Sequence, residues 1–190
     1  MFPTANSKVI QRARQILEYD PLFIDTETTG TASSDVVLEI GVVDSGGKVV
    51  FESLVKPGIP IPPDSTAVHG ITEARVADAP TWKEVWPSLE PLLRDRLVGM
   101  YNAEFDLRMI KQTHNRYWLD WSLDDRRFFC VMKLYAAFYG EMNPRGTGYR
   151  FHKLEAAGAA ARIDLPNSHR AVDDARLTAA LFQYIAQYSP

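Results

Sequence analysis

The sequence predicts an α/β fold: a mixed central sheet, made of an antiparallel hairpin plus parallel strands, with helices on both faces. Three observations predict it. Two strand-length apolar runs flank the turn formers Asp44, Ser45, Gly46 and Gly47, which marks a hairpin. Later strand-like runs alternate with helical segments, as in layered α/β domains. Acidic residues stand where those strands end and the next elements begin. The 190 residues suffice for one domain, 1–190 with a core of about 20–188, and no repeat or linker divides them.

Taken in order, residues 7–19 carry Val9, Ile10, Ile16 and Leu17 among Lys8, Arg12 and Arg14. This pattern predicts a short amphipathic helix capped by Ser7 and ended by Pro21. Its basic side reads as a solvated face in preference to a phosphate contact. Leu22, Phe23 and Ile24 then form a buried strand that delivers FIDTETTG, residues 23–30. Side chains at i and i+2 of a strand share a face, so Asp25 and Glu27 lie together. Two neighbouring carboxylates are costly unless a cation sits between them. A divalent ion with oxygen ligands, Mg²⁺ or Mn²⁺, explains the pair; a strand end with scattered surface acids is the other reading.

Residues 35–43 and 47–56 are the hairpin strands. Pro57, Pro60, Pro62 and Pro63 stiffen an extended segment. Residues 68–72, VHGIT, predict a loop, with Thr72 capping the turn that holds Glu73 and with His69 as a structural hydrogen-bonding residue. Residues 81–94 have the apolar face of a helix, and Pro87 and Pro91 predict that it is irregular or broken. Trp82 and Trp86 read as core. A strand at 97–101, LVGMY, runs into a helix opened by Asn102 and Ala103 and lasting to about Asn115. The polar stretch 116–127 leads to a short strand near Phe128–Cys130, with Cys130 as a small buried hydrophobe. A helix over 131–139 follows. Residues 140–150 are the most loop-like stretch, either near substrate or simply solvated. A short alanine-rich helix covers 151–160, and the last helix runs from about His169 to Tyr188.

Bulk properties narrow the class. Hydrophobic content of 46% and charged content of 24% are those of a globular protein. A net charge of -3 excludes a histone-like or tail-driven nucleic-acid binder, though not a nucleic-acid enzyme, since acidic metal ligands lower the charge. A single cysteine, Cys130, excludes an internal disulfide framework and a multi-cysteine zinc site. No apolar run approaches a membrane span, and the first residues lack the apolar core of a secretory leader, so the expectation is a cytoplasmic protein with no membrane partner.

Two more carboxylates join the first pair. Asp106 lies near the start of the helix after LVGMY, hence at a carboxyl edge of the sheet, where the strand of Asp25 and Glu27 also ends. Asp174 sits about one turn into the last helix, in line with Thr178, Leu181 and Ile185 on an inward face, where a carboxylate needs a partner. Asp173 points about 100° away and reads as solvated. His169, five residues before Asp174, projects from the helix entrance.

These residues resemble the DEDDh exonucleases, the group that contains the proofreading subunit of the bacterial replicative polymerase. FIDTETTG is similar to the first motif, VHGIT to a secondary signature, YNAEFD to the second motif and HRAVDDARLT to the third. The likeness spans Leu22 to about Ala180. One departure is Tyr101, where many relatives have histidine, at the rim of the substrate pocket. The resemblance implies a ribonuclease-H-like fold and 3′ to 5′ hydrolysis of single-stranded DNA or RNA, releasing nucleoside 5′-monophosphates. It implies two divalent cations, Mg²⁺ or Mn²⁺, held by Asp25, Glu27, Asp106 and Asp174, with His169 as general base. Thr28, Asn102 and Phe105 are the candidates for contacting the terminal nucleotide. The implied partners are 3′ ends and, for a proofreader, a DNA polymerase. Three alternatives stand beside this: a nucleic-acid-binding module with a degenerate site, a metal phosphohydrolase of short oligonucleotides or small phosphates, and a structural adaptor.

Overall fold

A computed structural model describes residues 6–189. Residues 1–5, part of the stretch weighed as a leader, lie outside the described residues. Helix α1 (Ser7–Leu17) precedes β1 (Leu22–Thr28), β2 (Val37–Asp44) and β3 (Val49–Leu54). Next come α2 (Pro63–His69), α3 (Glu73–Val76), α4 (Trp82–Leu93), β4 (Val98–Met100) and α5 (Ala103–Arg116). A single 3₁₀ turn then leads to β5 (Phe128–Cys130), α6 (Val131–Tyr139), α7 (Leu154–Ala160) and α8 (Ala171–Gln187). The sheet runs β3-β2-β1-β4-β5; β2 pairs antiparallel with both β1 and β3, β4 pairs parallel with β1, and β5 pairs parallel with β4. The mixed sheet read from the sequence is the one observed.

The two faces of β1 carry different chemistry. Leu22 and Ile24 pack with Trp82, Leu89, Met100 and Ile110 under α4 and α5. Phe23 packs on the opposite side with Phe182, Ile185, Tyr135 and Ala13, under α8, α6 and α1. Alternation then gives Thr26 to the α5 face and sends Asp25 and Glu27 toward α8. Gly41 permits that second layer to close: a Cβ there would stand 2.5 Å from the Val172 backbone nitrogen, so only glycine lets the start of α8 lie on β2.

Several local expectations change. Asn6 caps α1 in place of Ser7, its carboxamide accepting from the Lys8 N–H at 3.1 Å. The predicted 68–72 loop is shorter: Val68 and His69 end α2, whose start uses Pro63 in its first turn, where a missing N–H costs nothing, and 70–72 are irregular as expected. Thr72 does cap α3. Helix α4 is continuous despite Pro87 and Pro91. Both prolines lie on its exposed face one turn apart, so the carbonyls they leave unpaired face water. The Thr81–Glu84 capping box secures its start. Trp82 and Trp86 are buried, as expected, and the Trp82 indole donates to Nδ1 of buried His114 at 3.2 Å. Cys130 is half-buried instead of buried, with Sγ 3.3 Å from the Tyr101 carbonyl. Helix α8 begins at Ala171, not at His169, which has a left-handed φ of 52° and stands outside the helix before the cap Arg170.

Candidate active site

The four acids and the histidine come from three places in the chain. Strand β1 supplies Asp25 and Glu27. It ends in a register shift between Glu27 and Thr28 against β2, a bulge that bends the strand beside the site. Asp106, in the first turn of α5, is buried and accepts the Thr26 hydroxyl at 2.9 Å. The even residue of the same motif thus anchors one acid while the odd residues present two others. Asp174 is buried in the first turn of α8, above buried Thr178, Leu181 and Ile185, and accepts the Ser168 N–H at 3.2 Å. Asp173 is half-buried and accepts the Ser168 hydroxyl at 2.7 Å.

These carboxylates burden one another. Burial, then Asp106, Asp174, Glu27 and Glu39, hold Asp25 well above the usual carboxylate range. Glu27 is pushed up to about 8 by burial and then by Asp174, Glu39 and Asp106, with Arg170 opposing. Burial raises Asp106 to about 7 against its Thr26 hydrogen bonds. Burial raises Asp174 to about 6, with His169 pulling the other way. Packed, shielded acids of this kind are what a polyvalent cation relieves. Glu27, His169 and Asp174 each offer one ligand atom, all within 4.8 Å of one another. Among the described residues this is the cluster of metal-ligand size, and it includes His169 while Asp25 and Asp106 fall outside it.

The expected nucleotide contacts differ in availability. Asn102 is exposed at the start of α5 and makes no side-chain cap bond. Phe105 is half-buried with the Arg108 guanidinium 5.4 Å from its ring centre. Thr28 is buried and its hydroxyl donates to the Gly30 carbonyl at 2.7 Å. His69 is buried, with Nδ1 accepting the Ile71 N–H at 3.0 Å and Nε2 buried without a hydrogen-bond partner among the described residues. Burial lowers its pKa first; His169 and Arg170 add to that, while the Thr28 backbone and Glu39 oppose it.

Sequence reasoning missed the support behind His169. Glu39 lies opposite Glu27 on β2 and is buried. Its carboxylate receives the Arg170 Nε at 3.0 Å, a second guanidinium nitrogen of Arg170, and the Ala171 N–H at 3.0 Å. One buried acid therefore caps α8 and grips the residue next to His169. The tight LEIGV alternation of β2, with one acid among apolar neighbours, was the available signal.

An antiparallel three-strand unit extended by two parallel strands, with acids meeting at its β1–α5–α8 corner, defines the ribonuclease-H-like DEDDh class of 3′–5′ exonucleases. The chain belongs to the exonuclease family: the RNase T family model, described as Exonuclease, matches residues 22–182. It is 39% identical over 188 residues to the uncharacterized exonuclease CP81 of Escherichia phage 186, covering 96% of each chain. It is 31% identical over 170 residues to the PolC-type DNA polymerase III of Caldanaerobacter subterraneus subsp. tengcongensis, covering 87% of this chain and 11% of the polymerase. A solved structure of exonuclease X in complex with 5′ overhanging duplex DNA superimposes with a TM-score of 0.64 at 29% identity, over 86% of this chain and 89% of that one. Among the described residues no helix is long and apolar enough to cross a membrane.

Proposed function

We propose that this single-domain protein degrades single-stranded DNA or RNA from the 3′ end to nucleoside 5′-monophosphates, with Asp25, Glu27, Asp106 and Asp174 holding two divalent cations. The convergence of four mutually repelling acids on one corner of the sheet carries this reading. The donors are oxygen-rich, which suits Mg²⁺ or Mn²⁺. Glu27 and Asp174 define one position, and Asp25 with Asp106 leaves donors for a second. When bound, such ions offset charge on the attacking and leaving oxygens of an in-line displacement. His169, exposed at the mouth of α8, takes a proton from the attacking water and passes it to solvent. Asn102 offers a free carboxamide to the terminal nucleotide, Phe105 an aromatic face, and Thr28 a wall.

One observation favours a second role for His169: its ring nitrogen lies within the 4.8 Å cluster of Glu27 and Asp174, close enough to share a cation with them. Calorimetric Mn²⁺ titration beside single-turnover cleavage separates the two. A base leaves Mn²⁺ affinity intact in His169→Ala while the rate falls roughly 10²–10⁴-fold; a ligand loses both.

The test of the function uses 5′- and 3′-end-labelled DNA and RNA strands with Mg²⁺, with Mn²⁺ and with chelator. Metal-dependent ladders shortening from the 3′ end are expected, with slower digestion of a blunt GC-rich duplex. A duplex with a 5′ overhang is the natural third substrate, since exonuclease X was solved on one. No cleavage with either metal, or cleavage from the 5′ end, overturns the proposal. A polymerase partner and a cytoplasmic location belong to the same proposal; the PolC relative, which contains a matching segment, and the lone thiol of Cys130 support them.

A further inference from the structure

Beside the acids opens a cavity of about 550 Å³ that none of the four carboxylates lines. This is within the roughly 300–1,000 Å³ range of small-ligand sites. Its lining includes Tyr101, Asn102, Met132, Phe151, Lys153 and His169, and His169 also belongs to the cluster with Glu27 and Asp174. Residues 151–153 are irregular and are tied back to the end of β4 by a long-range bond. The buried Tyr101 hydroxyl donates to the His152 carbonyl at 2.7 Å, across 51 positions. His152 in turn is wedged against the Tyr139 and Tyr135 rings, at 4.6 and 5.7 Å between centres. Phe151 is nevertheless 54% exposed, a large aromatic fixed by its neighbours yet open to solvent. Lys153 is exposed beside it and has no salt bridge among the described residues, while Glu155 also lines the cavity and moderates its charge.

We infer that this cavity holds the second nucleotide from the 3′ end, with its base stacked on Phe151 and its phosphodiester near Lys153. The inference rests on the exonuclease reading above and adds to it the residues that receive the leaving strand. The cavity shares His169 and Asn102 with the candidate site, so a strand whose last nucleotide lies over the acids continues into it. An exposed aromatic beside a lone cation is the pairing that binds single strands without regard to sequence. With Glu155 nearby, stacking supplies more of the binding than charge does. Tyr101 acts as a positioning residue by tying down the loop that presents Phe151.

The experiment measures kcat/KM on an oligo(dT) strand and, separately, the inhibition constant of thymidine 5′-monophosphate, which fills only the terminal position. Phe151→Ala should lower kcat/KM on the strand by about 5- to 150-fold, the range for one lost base–aromatic stack, and leave the inhibition constant within twofold. Tyr101→Phe should give a smaller loss of the same kind, with a melting temperature near wild type. An abasic sugar at the second position should bring the wild type down to the level of Phe151→Ala and harm that variant no further. If the wild type degrades the strand but Phe151→Ala matches it, the subsite is wrong while the exonuclease reading stands. If strand and monophosphate weaken together, or if the abasic coupling falls on the terminal position, the assignment to the second nucleotide is wrong. Absence of any wild-type cleavage overturns the underlying reading instead.

Discussion

Replacing Asp106 by asparagine should make the metal-free protein more stable and the enzyme far less active. Asp106 is 4% exposed, and burial lifts its pKa from 3.8 to about 7. One pKa unit corresponds to about 1.4 kcal/mol. Ionising this carboxyl in the folded chain therefore costs on the order of 4 kcal/mol as an upper bound, because its neighbours titrate with it. Asparagine is isosteric and keeps the acceptor for the Thr26 hydroxyl. It carries no charge, but its amide nitrogen brings donors that need partners, so a net gain of about 2 kcal/mol is expected. For a chain of this size that raises Tm by roughly 4–8 °C. The assay is thermal melting in chelator at pH 8.5 and at pH 5. The sign follows from a raised acid pKa: the wild type has its full stability below about pH 4 and loses it as pH rises through about 7, so most of the gain must be gone at pH 5. With Mg²⁺ the order should invert, and activity should fall by more than the 10- to 100-fold lost when a ligand's supporting partner is removed. A variant no more stable than wild type at pH 8.5 in chelator, or equally stabilised at both pH values, refutes the argument that Asp106 is held ionised at a cost.

Other outcomes follow from the same geometry. In chelator the wild-type Tm should fall as pH rises from 5 to 8.5, because stability from Asp174, Asp106 and Glu27 is full below about pH 4 and is lost through about 6, 7 and 8; Mg²⁺ should flatten that slope, and a chelated Tm that rises with pH counts against the account. Glu39→Gln should weaken the grip on Arg170 and the start of α8, lowering kcat per folded molecule about tenfold with KM little changed, since the group acts through His169; a loss fully accounted for by the unfolded fraction in a melt points to general unfolding instead. Gly41→Ala forces a Cβ against the α8 backbone and should cost about 1–3 kcal/mol in chemical denaturation, a neutral result showing that α8 can shift. Cys130→Ser should leave the rate per folded molecule within about twofold, because the thiol donates to the Tyr101 carbonyl and otherwise belongs to the apolar packing beside β4; a large loss in kcat would give it a role the geometry does not.

Which parts were legible in the sequence has a physical pattern. The acids could be read because their chemistry demands their identity and strand alternation puts Asp25 and Glu27 on one face whatever surrounds them. The hairpin could be read because its turn residues are local. The continuous helix α4 could not, since whether a proline breaks a helix depends on which face it occupies, and that face is set by tertiary packing against β1 and β4. Helix α8 starts two residues later than its spacing predicts, for a related reason. His169 adopts φ of 52°, a conformation uncommon for its residue type, and it is held there by a clamp between Glu39 and Arg170, 131 positions apart. The Tyr101–His152 bond is equally non-local. Yet each distant tie ends beside a residue that the motifs single out: Glu39 faces Glu27 and grips the neighbour of His169, Thr26 lies between Asp25 and Glu27 and donates to Asp106, and Tyr101 precedes Asn102. The residues proposed to do chemistry can be read from spacing, whereas those that hold them in place become visible only once the sheet sets β2 beside β1 and brings the loop before α7 to the end of β4.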